Sequence, residues 1–502
     1  MIVAASTLGH GLLKAGLVLD ALLAAAALCA AGRNRRIAVA GALVLTPLLL
    51  AAALWKSTQV LHLRHHAALA AAAIVVGLVV IAALAGVLRT RPRLLALCAV
   101  IALPFRFSVV SGGTGGVLLV LYLVIAAAAV ALVVWDAPAR PVAAGAGGGA
   151  VTAEPGAGML ERALAVFVAL YAIEALYTPD PSKAAEEICF FYVPFALLFV
   201  LLARLRFDRA LLARCAQALV GLALVFVAVA AVEYASRHLL FHVALNANQR
   251  FFRVNSLFYD PNIYGRFVAL TMVIVAAAMM WESSRRGVLV AAAVLAVLWL
   301  GLLGSVSQSS IIALLAGLAV VAAVRFSPRT SAAAAALVLA VAVVVALAAA
   351  GRLHLSFSDT ASANNATSGR VSLVKQGLKL FGERPIAGFG SASFSCEYLR
   401  HMHGTRSYAC GAPGPAGVTS DSHTTPVTIA AEQGVIGLLA YVALLAAALL
   451  TLARGGLRRA PVRVAILAAF VALVVHSWAY ADFVEDPMTW VLLAVGAVVA
   501  RE

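Results

Sequence analysis

Two arginines and one histidine, far apart in the chain, have side chains suited to binding phosphate and moving a proton. Arg253 opens the segment Arg253–Asn262, Arg370 lies much later, and His423 directly precedes a long apolar stretch. A guanidinium group is planar, stays protonated and fits the oxygens of a phosphate. An imidazole, with an ordinary pKa of about 6.5, accepts a proton near neutral pH. These three side chains are therefore candidates for binding an anionic group and for accepting a proton.

Three further residues are candidate substrate-binding groups. Tyr259 lies in the same segment as Arg253, Arg266 lies one turn into the next apolar stretch, and Glu432 lies in the stretch after His423. A charged side chain inside a membrane-length apolar stretch is costly and therefore marks a functional candidate. For Arg266 the simpler alternative is that its head reaches the membrane interface. For Glu432 the alternative is a structural pairing with an arginine.

Two neighbouring features belong either to the site or to the helices that support it. His476 lies toward the end of an apolar stretch, and we interpret it as a packing residue, with membership of the site as the alternative. Asp482, Glu485 and Asp486 form an acidic turn after it. These carboxylates either pair with Arg253 or Arg370 or cap helices. Asp421 either orients His423 or has an ordinary loop role.

Composition shows which elements must position these residues. The residues AVILMFWYC make up 64% of the chain, DEKR only 12%, and the mean hydropathy is +1.02. That charge is too sparse to cover a soluble protein of 502 residues. Apolar runs of about 17–25 residues recur, and each can cross a bilayer as a helix. We predict an all-α polytopic integral membrane protein with about 13–15 transmembrane helices.

The predicted spans, fifteen in number, cover most of the chain. They are 12–31, 37–55, 67–88, 94–110, 117–135, 159–177, 188–203, 211–232, 263–281, 288–303, 309–324, 331–350, 426–452, 464–481 and 488–500.

Arginines gather in every second loop between these spans. They include Arg33, Arg35, Arg36, Arg89, Arg91, Arg93, Arg204, Arg206, Arg209, Arg285, Arg286, Arg325, Arg329, Arg454, Arg458, Arg459 and Arg463. Cations in short loops mark the cytoplasmic face, which puts the N-terminus and both long loops outside. The net charge of +16 therefore reflects topology. The scattered arginines disfavour a nucleic-acid partner.

The chain divides into five parts. Residues 1–135 are N-terminal membrane helices, and the Pro- and Gly-rich residues 136–158 are a flexible cytoplasmic linker. Residues 159–350 are a membrane core that includes an outer loop at 233–262. Residues 351–425 are a long periplasmic loop, and residues 426–502 are C-terminal membrane helices. Long loops on one face are where function is usually placed.

Local signals in the two long loops predict how they begin and end helices. Asp260 followed by Pro261 predicts a helix N-cap. An amphipathic helix begins at Arg370 and ends near Glu383, because Pro385 blocks its continuation. Its apolar face contains Val371, Val374, Leu378 and Phe381, and its charged face contains Lys375, Lys379 and Glu383.

Cysteine and histidine spacing in the long loop leaves two points open. Cys396 and Cys410 either form a disulfide in an oxidising periplasm or remain free thiols. His401 and His403 are weak evidence for a metal site, and we predict none.

Four stretches, taken in order, resemble the O-antigen ligase and O-antigen polymerase superfamily of bacterial membrane glycosyltransferases. They are Arg253–Asn262; Ser305–Ser310; Gly369-Arg370 through Gly390; and Ser422-His423 through Gly437. The resemblance covers roughly residues 90–500. The chain departs from the family in having Thr424 after the histidine and Ser310 where an arginine is common.

The resemblance implies a GT-C-like helical bundle that transfers a glycan from a polyprenyl-diphosphate carrier to an acceptor hydroxyl. It implies an active site at the periplasmic face of the bacterial inner membrane, with neither metal nor other cofactor. His423 matches the family's proposed base, and Arg253 and Arg370 match the arginines that hold the diphosphate. The partners implied are the lipid-linked donor, membrane lipids, and either a second lipid-linked glycan or a lipid A core sugar as acceptor.

Two other functions compete with this one. A transporter or flippase for an anionic lipid or solute places charges and broken helices near the bilayer midplane, often in two related halves. Here the charges gather at the outer boundary and no repeat is visible, which disfavours transport. A protein O-glycosyltransferase needs the same kind of active site, so this alternative remains open.

Overall fold

The apolar stretches fold as helices because a bilayer offers no water to backbone N–H and C=O groups. The computed structural model describes residues 2–55, 65–105, 107–108, 116–135, 157–241, 252–326, 329, 370–402, 410 and 421–501. The predicted span 331–350, nearly all of the linker 136–158, and residues 351–369, 403–409 and 411–420 of the predicted periplasmic loop, His403 included, lie outside these residues.

The N-terminal part is helical apart from one short antiparallel ladder. Its elements are α1 (Ile2–Cys29), α2 (Gly32–Ala53), α3 (Ala67–Thr90), α4 (Leu94–Ala102), β1 (Phe107–Ser108), β2 (Gly116–Val117) and α5 (Leu119–Trp135). Strands β1 and β2 pair with each other over two residues each. The predicted span 94–110 is wrong where it continues past Ala102, because the helix ends there and Phe107–Ser108 form a strand. Pro104, two residues after Ala102, has no backbone N–H to continue the helical hydrogen bonds.

The remaining chain adds the helices that surround the predicted site. They are α6 (Met159–Glu174), α7 (Pro181–Glu187), a π-helical turn (Ile188–Tyr192), α8 (Val193–Leu202), α9 (Arg209–Ser236), α10 (Pro261–Met280), α11 (Arg285–Ser305) and α12 (Gln308–Arg325). After a gap follow α13 (Arg370–Glu383), α14 (Phe394–Met402), α15 (Thr425–Leu452), a 3-10 turn (Leu457–Arg459), α16 (Pro461–Ala479) and α17 (Pro487–Val499).

The prediction of an all-α polytopic membrane protein is confirmed. Ten helices in the described part of the chain are long and apolar enough to cross a membrane, and α5 and α17 are shorter apolar helices. Helix α10 is buried along nearly its whole length, whereas α3 and α11 expose large apolar side chains such as Val79 and Leu300. Such exposed apolar faces suit contact with lipid, so α10 is central and α3 and α11 are peripheral.

Helices α9, α11 and α16 end, and α10, α12 and α15 begin, at one end of the bundle, here named the site end. Next to it, Phe226 of α9, Phe258 of the loop before α10, and Phe267 of α10 form a buried aromatic cluster with ring centroids 5.3–5.6 Å apart. Phe226 packs edge to face on the other two rings, and such packing fixes the relative position of the elements that carry it. It therefore supports the loop between α9 and α10.

Two predicted helix signals hold at the site end. The Asp260 carboxylate accepts hydrogen bonds from the N–H groups of Asn262 (2.6 Å) and Ile263 (3.4 Å), so α10 is capped as predicted. Helix α13 has the predicted bounds, but its buried face is Leu373, Gly377 and Leu380. Leu378, on the predicted apolar face, is 52% exposed, which leaves it able to contact a membrane surface.

Helix α15 is broken at Gly434, whose φ of +63° and ψ of −157° are not helical. The connection after α13 fills the break: Val435 N–H donates to Pro385 O (2.8 Å) and Gly390 N–H donates to Glu432 O (2.8 Å). A Cβ at Gly434 would lie 2.3 Å from Ile386 O, and one at Gly388 would lie 2.2 Å from Glu432 O. Both glycines are therefore required for this close backbone approach.

Candidate active site

The loop that carries Arg253 is held by a carboxylate at the end of α9. Glu233 is fully buried, and its Oε2 accepts hydrogen bonds from the N–H groups of Ser256 (2.8 Å) and Asn255 (3.2 Å). Its Oε1 accepts from Leu240 N–H (3.1 Å). A buried carboxylate is stable when backbone donors satisfy it. Glu233 thus fixes the loop, a role that sequence reasoning missed.

Arg253 donates hydrogen bonds to a backbone carbonyl oxygen and a side-chain amide oxygen at the site end of the bundle. Its Nε donates to Ser305 O (2.8 Å) and its Nη2 donates to Asn262 Oδ1 (2.9 Å). Burial lowers the pKa of Arg253, and the charge of Arg370 lowers it further, while Asp260 opposes both. The influence of Arg370 shows that the two guanidinium groups are electrostatic neighbours.

Arg370, the first residue of α13, reaches the end of α16. Its Nη1 donates to Ala479 O (2.9 Å), and its guanidinium lies 5.6 Å from the ring centroid of Tyr480. Within the described residues, no carboxylate lies within salt-bridge distance of Arg370. A carbonyl oxygen and an aromatic face hold the guanidinium group without a neutralising negative charge.

His423 lies in a turn just before α15. Its N–H donates to Asp421 Oδ1 (2.6 Å), and its Nδ1 lies 3.4 Å from the same oxygen. Its backbone φ is +54°, an uncommon value for a residue other than glycine. The imidazole stacks on Tyr480 with ring centroids 5.3 Å apart and an interplanar angle of 21°. Asp421 therefore shapes the turn and faces one nitrogen of the ring.

Tyr480, which sequence reasoning missed, joins two of the predicted residues. It directly follows α16 and contacts both His423 and Arg370. Burial raises its pKa well above the usual value, and Asp260 and Asp482 raise it further, so the phenol stays protonated. The only sequence signal was an aromatic residue at the end of a membrane span, which equally suggests an interfacial anchor.

Arg266 of α10 pairs with the turn between α16 and α17. Its Nε lies 2.8 Å from Asp486 Oδ2, its Nη2 lies 3.6 Å from Asp482 Oδ2, and its Nη1 donates to the carbonyls of Ala481 and Asp482. It is 1% exposed. The interpretation of Arg266 as reaching the membrane interface was therefore wrong. Asp482 and Asp486 pair with Arg266 rather than with Arg253 or Arg370.

Glu432 has a structural position inside α15. Its Oε1 accepts from Phe394 N–H (2.9 Å) and its Oε2 accepts from Ala392 N–H (3.1 Å), which caps the start of α14. Its predicted pairing with an arginine is not found among the described residues. Tyr259 is half-buried and lies close enough to raise the pKa of Tyr480.

A buried polar network connects Arg253 with α16. Asn262 Oδ1, which accepts from Arg253, also accepts from Ser307 Oγ (2.9 Å). Ser307 Oγ lies 2.8 Å from Ser310 Oγ, and Ser310 Oγ lies 3.2 Å from His476 Nε2. His476 is fully buried and 5.7 Å from Tyr480 by ring centroid. It packs as predicted, while its polar edge belongs to this network.

The remaining loop predictions concern cysteines and metal. The structure joins Cys396 and Cys410 in a disulfide, with Cα atoms 5.4 Å apart. His401 Nε2 lies 2.9 Å from Glu383 Oε2. Among the residues that the structure describes, no group of three or more metal-binding side chains occurs.

The site brings a guanidinium group and an imidazole together on one aromatic ring. Arg370 and His423 meet at Tyr480, and Arg253 lies within electrostatic range of Arg370. The arginines suit phosphate oxygens, and the imidazole suits a hydroxyl proton.

Comparison with known proteins adds a family to this geometry. No curated protein matches the chain. Residues 292–442 match the family model described as O-Antigen ligase. The matched segment contains Arg370, His423 and the broken start of α15. This match over part of the chain supports the resemblance to the O-antigen ligase superfamily that the sequence motifs indicate.

Proposed function

We propose that the protein transfers a glycan from a polyprenyl-diphosphate carrier to an acceptor hydroxyl at the periplasmic face of the bacterial inner membrane. The observation that carries this proposal is the meeting of Arg370 and His423 on Tyr480, beside Arg253. A cation and a base within one site are what displacement of a diphosphate by a hydroxyl requires.

Arg253 and Arg370 stabilise the diphosphate leaving group. As the bond between the anomeric carbon and the diphosphate oxygen breaks, its electron pair moves onto the diphosphate. Preorganised cations stabilise that developing charge most strongly where water is scarce. Arg253 is held by Ser305 O and Asn262 Oδ1, so its charge is oriented before the donor arrives.

His423 is the general base. The acceptor oxygen attacks the anomeric carbon while the imidazole takes its proton. Asp421 faces Nδ1, so we infer that Nε2 takes the proton. Attack from the side opposite the diphosphate inverts the anomeric centre.

The other predicted site residues divide into two groups. Tyr259 stays a proposed substrate contact, since it lies near Tyr480 at the rim. Arg266 and Glu432 act as scaffold, because their polar groups are used by the protein itself. No metal or other cofactor enters the proposed mechanism.

The acceptor is either a lipid A core sugar, as in a ligase, or a second lipid-linked glycan, as in a polymerase. The charged groups lie where helices begin and end rather than halfway along them, which favours transfer over transport.

A reconstituted assay tests the proposal. Purified protein in nanodiscs receives a polyprenyl-diphosphate oligosaccharide together with lipid A core or a second lipid-linked oligosaccharide, and products are identified by mass spectrometry. We expect product with one acceptor and its loss in His423→Ala. His238→Ala, at an exposed histidine, is the matched control and should keep activity. Transfer at the wild-type rate by His423→Ala would contradict the assignment of the base.

A further inference from the structure

We propose that Tyr480 is a positioning residue that holds the base and a diphosphate-binding arginine in one geometry. This inference rests on the proposed function and deepens it. Its subject is the aromatic ring rather than the phenol hydroxyl, because every contact that motivates it is made to the ring.

Three side chains surround the ring of Tyr480. His423 stacks on it at 5.3 Å with an interplanar angle of 21°. The Arg370 guanidinium lies 5.6 Å from its centroid, within the range of a cation–π contact. His476 meets it at 63° and 5.7 Å. The energies of offset stacking and of cation–π contacts both depend on geometry, so one ring sets the orientation of two functional groups.

The backbone around Tyr480 is held in place by hydrogen bonds. Tyr480 is 7% exposed and directly follows the last residue of α16. The carbonyl before it, Ala479 O, accepts from Arg370, and the carbonyls of Ala481 and Asp482 after it accept from buried Arg266. The backbone on both sides of Tyr480 is thus hydrogen-bonded to an arginine.

His423 needs such a support because its backbone is strained. A positive φ in a residue other than glycine persists where surrounding structure holds it. Asp421 accepts from the His423 N–H and fixes the turn, and the stack on Tyr480 fixes the tilt of the imidazole. A displacement of about 1 Å at a reacting group can reduce a rate about 100-fold. Loss of the ring should therefore reduce kcat.

Kinetics of two variants separate a ring-positioning role from other roles. Tyr480→Phe keeps the ring, and we expect kcat within about threefold of wild type. Tyr480→Leu removes the ring, and we expect kcat to fall about 10–100-fold with little change in the acceptor KM. Tyr234→Leu, at an exposed tyrosine near the end of α9, is the matched control and should leave kcat unchanged. A wild-type kcat in Tyr480→Leu, or an equal loss in Tyr480→Phe, would overturn the proposal.

A spectroscopic measurement keeps the test independent of turnover. In protein with labelled histidine and tyrosine, we expect nuclear Overhauser contacts between the His423 and Tyr480 rings in wild type. Absence of these contacts would overturn the inference even in an active enzyme, and even if Tyr480→Leu failed to fold. Conversely, an inactive wild-type protein that shows the contacts would contradict the proposed function and leave the ring contact standing.

Discussion

Arginines at the site end occupy two contrasting regions. The first, here called the lower region, contains Arg266, which is 1% exposed and paired with the carboxylates of Asp482 and Asp486. The second, here called the upper region, contains Arg253 and Arg370, which donate to the carbonyls of Ser305 and Ala479 and to the Asn262 amide oxygen. Compensated charge fixes the turn between α16 and α17. Arg370, which has no carboxylate within salt-bridge distance among the described residues, contributes a positive potential for an anionic ligand.

The largest expected effect is at the base, where the upper region meets the acceptor. His423→Ala should lower kcat by about 10²–10⁴-fold, because the acceptor hydroxyl then loses its proton acceptor. The measurement is the initial rate of transfer in nanodiscs, with the melting temperature as a control for folding. A reduction below threefold would contradict the role.

The two upper arginines should show the next largest effect. Arg370→Ala and Arg253→Ala should each lower kcat/KM by about 10²–10³-fold, because each removes one cation from the diphosphate. Arg370→Lys keeps the charge but loses the planar fork, so its loss should be intermediate.

The matched control for these variants is Arg285→Ala, at an exposed arginine where α11 begins, at the other end of that helix from Ser305. It should retain wild-type kinetics. Equal losses in all three alanine variants would indicate a general effect of charge rather than a site.

The lower region should respond in stability rather than in chemistry. Arg266→Leu leaves Asp482 and Asp486 without their buried partner, and breaking such a pair costs about 3–5 kcal/mol. We expect a clear fall in melting temperature, while Arg370→Ala should change it little. If Arg266→Leu kept the wild-type melting temperature and lost only donor affinity, the distinction between the two regions would be lost.

Parts of the fold and of the site differ in how well the sequence predicted them. Helices and the Asp260 cap were predictable because hydrophobicity and capping are local. Arg253, Arg370 and His423 were chosen from residue type and motif order. Tyr480 and Glu233 were not found, because their roles depend on which helix ends meet in space.

The same limit applies to α13. The sequence identified an apolar face that contains Val371 and Leu378, but it did not show that Leu373, Gly377 and Leu380 face the protein. On an amphipathic helix next to a membrane, both protein and lipid select apolar residues, so periodicity alone does not tell the two faces apart.

A smaller effect is expected at the break in α15. Gly434→Ala forces a Cβ to within 2.3 Å of Ile386 O at a φ of +63°. We expect a loss of stability of about 2 kcal/mol or more. Gly221→Ala in α9 is the control, since no atom lies within 4 Å of its Cβ position, and it should be neutral or slightly stabilising. Equal melting temperatures in the two variants would contradict the interlock between α15 and the connection after α13.

The smallest expected effect is that of a chelator. Transfer should proceed at the same rate with and without EDTA, because the proposed charge stabilisation comes from guanidinium groups. Recovery of a lost activity by added Mg²⁺ or Mn²⁺ would contradict this account.

Binding of a short prenyl diphosphate tests the central claim most directly, since it separates the diphosphate from the base without any turnover. Isothermal titration of farnesyl diphosphate into wild type, Arg253→Ala, Arg370→Ala and His423→Ala gives four dissociation constants. The account predicts at least tenfold weaker binding in both arginine variants and near wild-type binding in His423→Ala. Wild-type affinity in either arginine variant, or an equal loss in His423→Ala, would contradict it.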